Sequence, residues 1–247
     1  GIDTEGLVFP DLRPVATDAA PLAAAPGLTG LRGKNTVFIY VADPAEPIIA
    51  QVRHRAGKQR PEPIAWTLVD DTGMALQEAL EKLSKTEELS LRVMRPGAYA
   101  LALQATEGGG AWYGVRVVSH PHGVDASAKA YYFRALPRQY FYVPEGLNEF
   151  EVRAETGGGH QAMMVRVWRP DGEAALEHMV NAEVARRETL KVAVPEGMAG
   201  SVWSLWVGKP EVMPATHYSE NYWVRIVGAS SWLADSPDAV VRGDVQP

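Results

Sequence analysis

The chain has 247 residues, 46% hydrophobic and 22% charged, with a net charge of −6 and no cysteine. That composition suits a globular protein of one large or two ordinary domains. The absence of thiols excludes a disulfide framework, a thiolate metal centre and a cysteine nucleophile. No apolar run reaches the length of a membrane-spanning helix, and the Lys and Arg residues are scattered rather than clustered, which argues against nucleic acid as a partner.

Residues 1–33 carry Pro10, Pro14, Pro21 and Pro26, a density that blocks a continuous helix. They read as an N-terminal arm or linker, in which Leu7, Val8 and Phe9 could dock as an edge strand. From Lys34 the pattern turns to β. Residues 36–41, 48–52 and 64–69 are strand-like, and the last run ends in the turn Asp70-Asp71-Thr72-Gly73. Residues 74–83 break the alternation. Leu76, Ala79, Leu80 and Leu83 recur there at helical spacing among good helix formers, which predicts a short helix. Residues 89–93, 98–103 and 113–118 return to strand and complete a first sandwich over 34–119.

Residues 120–137 read as a connector, with Tyr131, Tyr132 and Phe133 packing in the seam between halves. A second sandwich spans 138–228. Its strands at 140–143, 149–154, 163–168, 190–194, 201–207 and 222–227 are punctuated by Pro144-Glu145-Gly146, Gly157-Gly158-Gly159 and Pro170-Asp171-Gly172. Residues 174–187 are helix-like, and the tail 229–247 reads as surface chain.

The halves can be laid on each other. Ile39-Tyr40-Val41 matches Phe141-Tyr142-Val143, and Gln51-Val52-Arg53 matches Glu151-Val152-Arg153. The run from Tyr113 to Val118 matches the run from Tyr222 to Val227. A repeat of roughly a hundred residues means tandem domains, because solenoid periods are much shorter. The fold expected is all-β, two tandem jelly-roll-like β-sandwiches with at most short helical insertions.

The second unit reads Tyr-Val-Pro-Glu-Gly, Phe-Glu-Val, Pro-Asp-Gly and then Val-Pro-Glu-Gly-Met-Ala-Gly-Ser-Val-Trp-Ser-Leu. In that order it resembles the bacterial pre-peptidase C-terminal type of β-sandwich and related jelly-roll modules. The resemblance covers about ninety residues of the second unit and, more faintly, the first. It implies a non-catalytic accessory module of an exported bacterial protein, secreted, periplasmic or at the cell surface. Such a module would bind polysaccharide or pack against a neighbouring domain of a longer protein. Two alternatives stand beside it: a structural cell-surface spacer, and a polysaccharide-acting enzyme with a carboxylate site between the units.

Strand periodicity assigns the aromatics to faces. Trp203, Leu205 and Val207 point inward and Trp206 outward; Tyr222, Val224 and Ile226 point inward, Trp223 and Arg225 outward. Trp206 and Trp223 align with Leu103 and Gly114, so the first unit lacks this outward pair. Exposed indoles can stack on a sugar ring, which makes Trp206, Trp223, Arg225 and Trp168 the candidate ligand-binding residues. Packing beneath another segment would use the same tryptophans, and buried contacts of that kind are where tryptophan is enriched. His120 and His122 offer the start of a metal site without further ligands at a clear spacing. Asp70, Asp71 and Asp171 suit either turn capping or a structural calcium ion. No other cofactor is expected, and no nucleophile elbow, phosphate loop or zinc-protease motif occurs.

Overall fold

The computed structural model describes residues 2–16, 27–55, 63–81, 85–105, 111–134 and 136–243. After β1 (Arg13–Pro14), the first half consists of β2 (Thr29–Leu31), β3 (Lys34–Val41), β4 (Ile48–Arg55), β5 (Ile64–Asp70), β6 (Ala75–Glu81), β7 (Glu87–Leu91), β8 (Gly97–Ala105), β9 (Trp112–Val117) and β10 (His122–Asp125). The same series then recurs as β11 (Ala130–Phe133), β12 (Gln139–Val143), β13 (Glu149–Thr156), β14 (Ala162–Trp168), β15 (Ala174–Asn181), β16 (Arg187–Ala193), β17 (Ser201–Gly208), β18 (Asn221–Val227) and β19 (Trp232–Leu233). A 3₁₀ turn at Pro237–Ala239 and β20 (Val241–Arg242) follow.

Each half is a set of nested antiparallel hairpins. In the first, β2 pairs with β9, β3 with β8, β4 with β7 and β5 with β6. In the second, β11 pairs with β18, β12 with β17, β13 with β16 and β14 with β15. A long hairpin folded over in this way gives two facing sheets, the jelly-roll form of the all-β sandwich.

The halves share more than a boundary. Tyr132 of β11 pairs with Leu31 of β2, which fuses one sheet from each half into a single eight-stranded sheet, β16-β13-β18-β11-β2-β9-β4-β7. The facing layer holds a six-stranded sheet, β19-β10-β3-β8-β5-β6, and a four-stranded sheet, β12-β17-β14-β15, linked by the bridge Tyr140↔Ala234. One apolar core runs between the layers through both halves. Trp203 is central to it, edge-on to Phe150 at 5.5 Å, with its indole N–H donating to the Met198 carbonyl at 2.8 Å.

Three expectations are corrected. The stretch 120–137 is not a bare connector, since it contributes β10 to one layer and β11 to the seam of the other. Tyr132 is buried in the core there, whereas Tyr131 and Phe133 alternate to the other face, Tyr131 half-buried and Phe133 covered by Trp112 and Arg32.

The tail from 229 is not surface chain either. Trp232 packs with Leu12, Phe38 and Val241 on the outer side of β3 and β8, and Ala234, Ala239 and Val240 cover Tyr142. The two ends of the described chain pair through Arg13↔Arg242 and Pro14↔Val241. Part of the predicted arm, 17–26, lies outside the described residues.

The helices expected at 74–83 and 174–187 are the edge strands β6 and β15, with residues 82–84 outside the described set. In each case a bulge shifts the register near the strand's start, between Leu68 and Val69 of the partner in one and Val167 and Trp168 in the other. The extra residue breaks the two-residue alternation. Leu76 and Ala79 then both reach the core, at a spacing of three that imitates a helix. Ladder pairing overrides the helical propensity of these exposed, Ala- and Glu-rich edges.

Candidate functional site

The alternation of β18 sends Tyr222, Val224 and Ile226 into the core and leaves Trp223 and Arg225 on the outer face of the eight-stranded sheet. On one side of Trp223, β11 places Tyr131 directly opposite. The two rings stack with centroids 4.3 Å apart and planes inclined at 28°. The Tyr131 hydroxyl donates to Asn221 Oδ1 at 2.8 Å, which also accepts from Arg32 Nη1 at 3.0 Å. The phenol is thereby fixed against the indole. On the other side of Trp223, β13 places Glu155.

Glu155 is 7% exposed and is the electrostatic hub of the site. Lys129 Nζ lies 2.7 Å from its carboxylate, with Arg186 and Arg187 each at 3.1 Å. Burial pushes its pKa up, but hydrogen bonds and charge from Lys129 and Arg187 outweigh that and hold it below the usual carboxylate value. Lys129 and Arg186 also stand over the Trp223 ring, 5.0 and 5.7 Å from its centroid.

Lys129, Glu155, Arg187 and Trp223 wall a surface cleft of about 380 Å³ that also takes in Arg153 and Arg225. Arg153 is paired with Glu151 at 3.0 Å. Arg225 is exposed and, among the described residues, has no carboxylate partner. The cleft lining carries Lys129, Arg153, Arg187 and Arg225 against Glu155 and Glu188, a positive excess in a chain whose net charge is −6. An aromatic wall and surplus cationic donors can hold a ligand with an apolar face and an anionic group. Glu155, ionised and triply paired, is poorly placed to give up or take a proton.

The four tryptophan and arginine candidates do not form one site. Trp223 and Arg225 lie in the cleft, whereas Trp206 and Trp168 are on the four-stranded sheet of the opposite layer. There Arg166 stands 5.6 Å over the Trp206 ring while pairing with Glu177 and Glu211. The indole also lies so close to Gly208 that a Cβ there would be 2.2 Å from Cζ2. Arg138 caps Trp168 at 3.8 Å. Both indoles are thus packed by their own chain, as the Trp223 ring is by Tyr131, Lys129 and Arg186; what sets Trp223 apart is that it also lines the cleft. The cross-strand pairing also changes one repeat assignment. Phe141 opposes Trp203 as Ile39 opposes Tyr99, so Trp206 corresponds to Ala102 rather than Leu103.

Sequence reasoning missed Tyr131, Lys129 and Glu155. Tyr131 was legible in principle, because alternation around the inward Tyr132 places it outward. Lys129 and Glu155 become neighbours only when β11, β18 and β13 align.

His122 is buried, with Nδ1 2.8 Å from the His120 carbonyl and Nε2 3.2 Å from Asp235, so both its nitrogens are used internally. Asp70 accepts from Thr72 N, Thr72 Oγ1 and Met74 N at 3.0, 2.6 and 3.1 Å and pairs with Arg95. Asp171 caps its own turn through Glu173 N at 3.0 Å.

No protein-family model matches the chain, and no curated protein matches it. Several solved structures do. One is the M60 catalytic domain with the CBM51-1 and CBM51-2 domains from Clostridium perfringens ZmpB, at a TM-score of 0.26 and 9% identity, covering 91% of this chain and 39% of that one. The chain therefore spans well under half the length of that structure. Recombinant N-glycanase F (PNGase F) matches at a TM-score of 0.24 and 10% identity, covering 91% of this chain and 99% of its own. A cowpea mosaic virus empty particle matches at 0.25 and 8%, covering 99% and 94%. Likenesses this slight carry no function across.

Proposed function

We propose that the chain is a non-catalytic carbohydrate-binding module that takes an acidic saccharide in the cleft beside Trp223. In this reading it serves an exported bacterial protein, as do the pre-peptidase C-terminal-type modules it resembles. The carrying observation is the Tyr131–Trp223 stack beside an excess of cationic side chains, of which Arg225 has no carboxylate partner among the described residues. The indole supplies a rigid apolar surface for a sugar ring. Arg225 and its neighbours supply charge-assisted hydrogen bonds to a carboxylate or sulfate.

The test is affinity electrophoresis against a panel of neutral and uronate- or sulfate-bearing polysaccharides. Retardation by the acidic members, weakened by salt and lost in Trp223→Ala with folding intact, is the expected result. Retardation by no polysaccharide, or equal retardation of Trp223→Ala, would remove the proposal.

A second reading is contact with a neighbouring domain, favoured by a larger groove of about 1050 Å³ between the paired chain ends and β18. It is lined in part by Arg13, Tyr142, Arg225, Trp232 and Arg242. Arg242→Ala, at an exposed position that lines this groove and not the cleft, separates the two readings: it should weaken contact with a neighbouring domain and leave retardation by polysaccharide unchanged.

A further inference from the structure

We infer that the second half carries a site for a divalent transition-metal ion of the zinc class, formed by His160, Glu183 and His217. Their potential ligand atoms all lie within 4.8 Å of one another. The three come from different connections at one end of the sandwich: the turn after β13, the turn between β15 and β16, and the long loop between β17 and β18. His160 Nδ1 is 2.6 Å from Glu183 Oε1, and His217 Nε2 is 3.2 Å from Glu183 Oε2. A tetrahedral ion with bonds of about 2.0–2.1 Å sets its ligand atoms roughly 3.4 Å apart, within a side-chain rotation of what is seen.

An independent observation concerns His217. Its side chain is 2% exposed, yet Nε2 is out of alignment with the nearby carboxylate and has no hydrogen-bond partner among the described residues. A buried ring nitrogen near a carboxylate and a second imidazole but without an aligned hydrogen bond is costly unless something else fills it. Nδ1 of the same ring lies 3.3 Å from Thr216 Oγ1. That contact orients the ring so that Nε2 is the ligating atom, as outer-shell partners do for metal-bound histidines. Two imidazoles and a carboxylate favour zinc-class ions over calcium or magnesium, which take oxygen donors.

The backbone holds the three ligands in place without an ion. Tyr218 N donates to the His160 carbonyl at 3.0 Å and Ala162 N to the Tyr218 carbonyl at 3.1 Å, tying the His160 and His217 segments together. Asn181 Oδ1 accepts from Glu183 N at 3.0 Å, and Ala182 N donates to the Gln161 carbonyl at 3.0 Å. Gly157 lies against the Gln161 amide, and a Cβ there would be 2.1 Å from Nε2, so a larger residue would have to displace that side chain. The exposed sides of His160 and Glu183 leave room for water or an outside donor to complete the shell.

The test uses untagged full-length chain, stripped with chelator and titrated with Zn²⁺ in a calorimeter. Co²⁺ provides a second readout through its tetrahedral visible band. One Zn²⁺ per chain is expected, with no competition from excess Ca²⁺ or Mg²⁺. His160→Ala and Glu183→Gln, both at exposed positions, should lose at least about tenfold in affinity, as even outer-shell losses at metal sites do. His178→Ala, which removes the separate His178–Glu188 pair, should leave binding unchanged. Absence of stoichiometric binding, or binding equal to the parent chain in His160→Ala and Glu183→Gln, would overturn the site.

Discussion

The outer face of the eight-stranded sheet is finished differently in its two halves. In the second, β11, β18 and β13 line up Tyr131, Trp223 and Glu155 across the sheet. At the matching place in the first, β2, β9 and β4 line up Gly30, Gly114 and Arg53. There the incoming chain lies directly on the sheet, and a Cβ on Gly114 would be 2.8 Å from Leu28 Cβ. One half covers this face with the Leu28 side chain; the other stacks Tyr131 on Trp223 and leaves a cleft beside the indole. A shared fold thus leaves the outer face free to differ, provided inward positions keep their volume.

The inward positions should be costly in both halves. Trp203 and Tyr99 oppose equivalent residues and are 1% and 3% exposed. Trp203→Ala and Tyr99→Ala are each expected to destabilise by about 3–5 kcal/mol, read from urea unfolding. Because the sheet and core are continuous, both should shift a single transition. Two resolved transitions, with only one moved by each variant, would show the halves to be energetically separate.

The outward positions should behave oppositely to each other. Gly114→Ala forces a methyl group against Leu28 and is expected to cost about 1–3 kcal/mol. Combined with Leu28→Ala it should cost markedly less than the sum, since the clash is shared. Trp223→Ala meets no such crowding. It should lose the aromatic pair, worth about 0.5–1.5 kcal/mol beyond the area the half-buried indole covers, while abolishing retardation by acidic polysaccharide.

The smallest effect concerns pH. The Glu155 pKa is lowered from an ordinary 4.5, so in moderately acidic solution the unfolded chain binds a proton that the folded chain does not. Its contribution to stability is present above about pH 4.5 and is lost as pH falls through the lower folded value. Unfolding midpoints compared at pH 5.5 and 3 should show a smaller acid loss in Glu155→Gln than in the parent chain.

The inward pattern was readable because alternation is local, and a residue's parity along β17 or β18 already fixes its face. The edge strands were not, because a bulge erased the alternation at Leu76 and Ala175 and left a helical spacing in its place. Among candidate site residues, periodicity placed Trp206 and Trp223 outward alike. Only the assembled sheets show Trp206 lying over Gly208 beneath Arg166, and Trp223 against Tyr131. Glu155, Lys129 and the His160–Glu183–His217 cluster join residues from separate strands and loops, and no spacing along the chain encodes that meeting.

The position of β2 between β9 and β11 also sets an order of assembly. During synthesis the first half can close its hairpins once β9 has emerged, and β2 then presents an open edge until β11, which begins at Ala130, follows β9, which ends at Val117. Open edges invite pairing with other chains. This one is three residues long with Gly30 at its centre, too short to offer much of a template. The strand that joins the two halves is thus a poor template for other chains during the short interval in which it waits for β11.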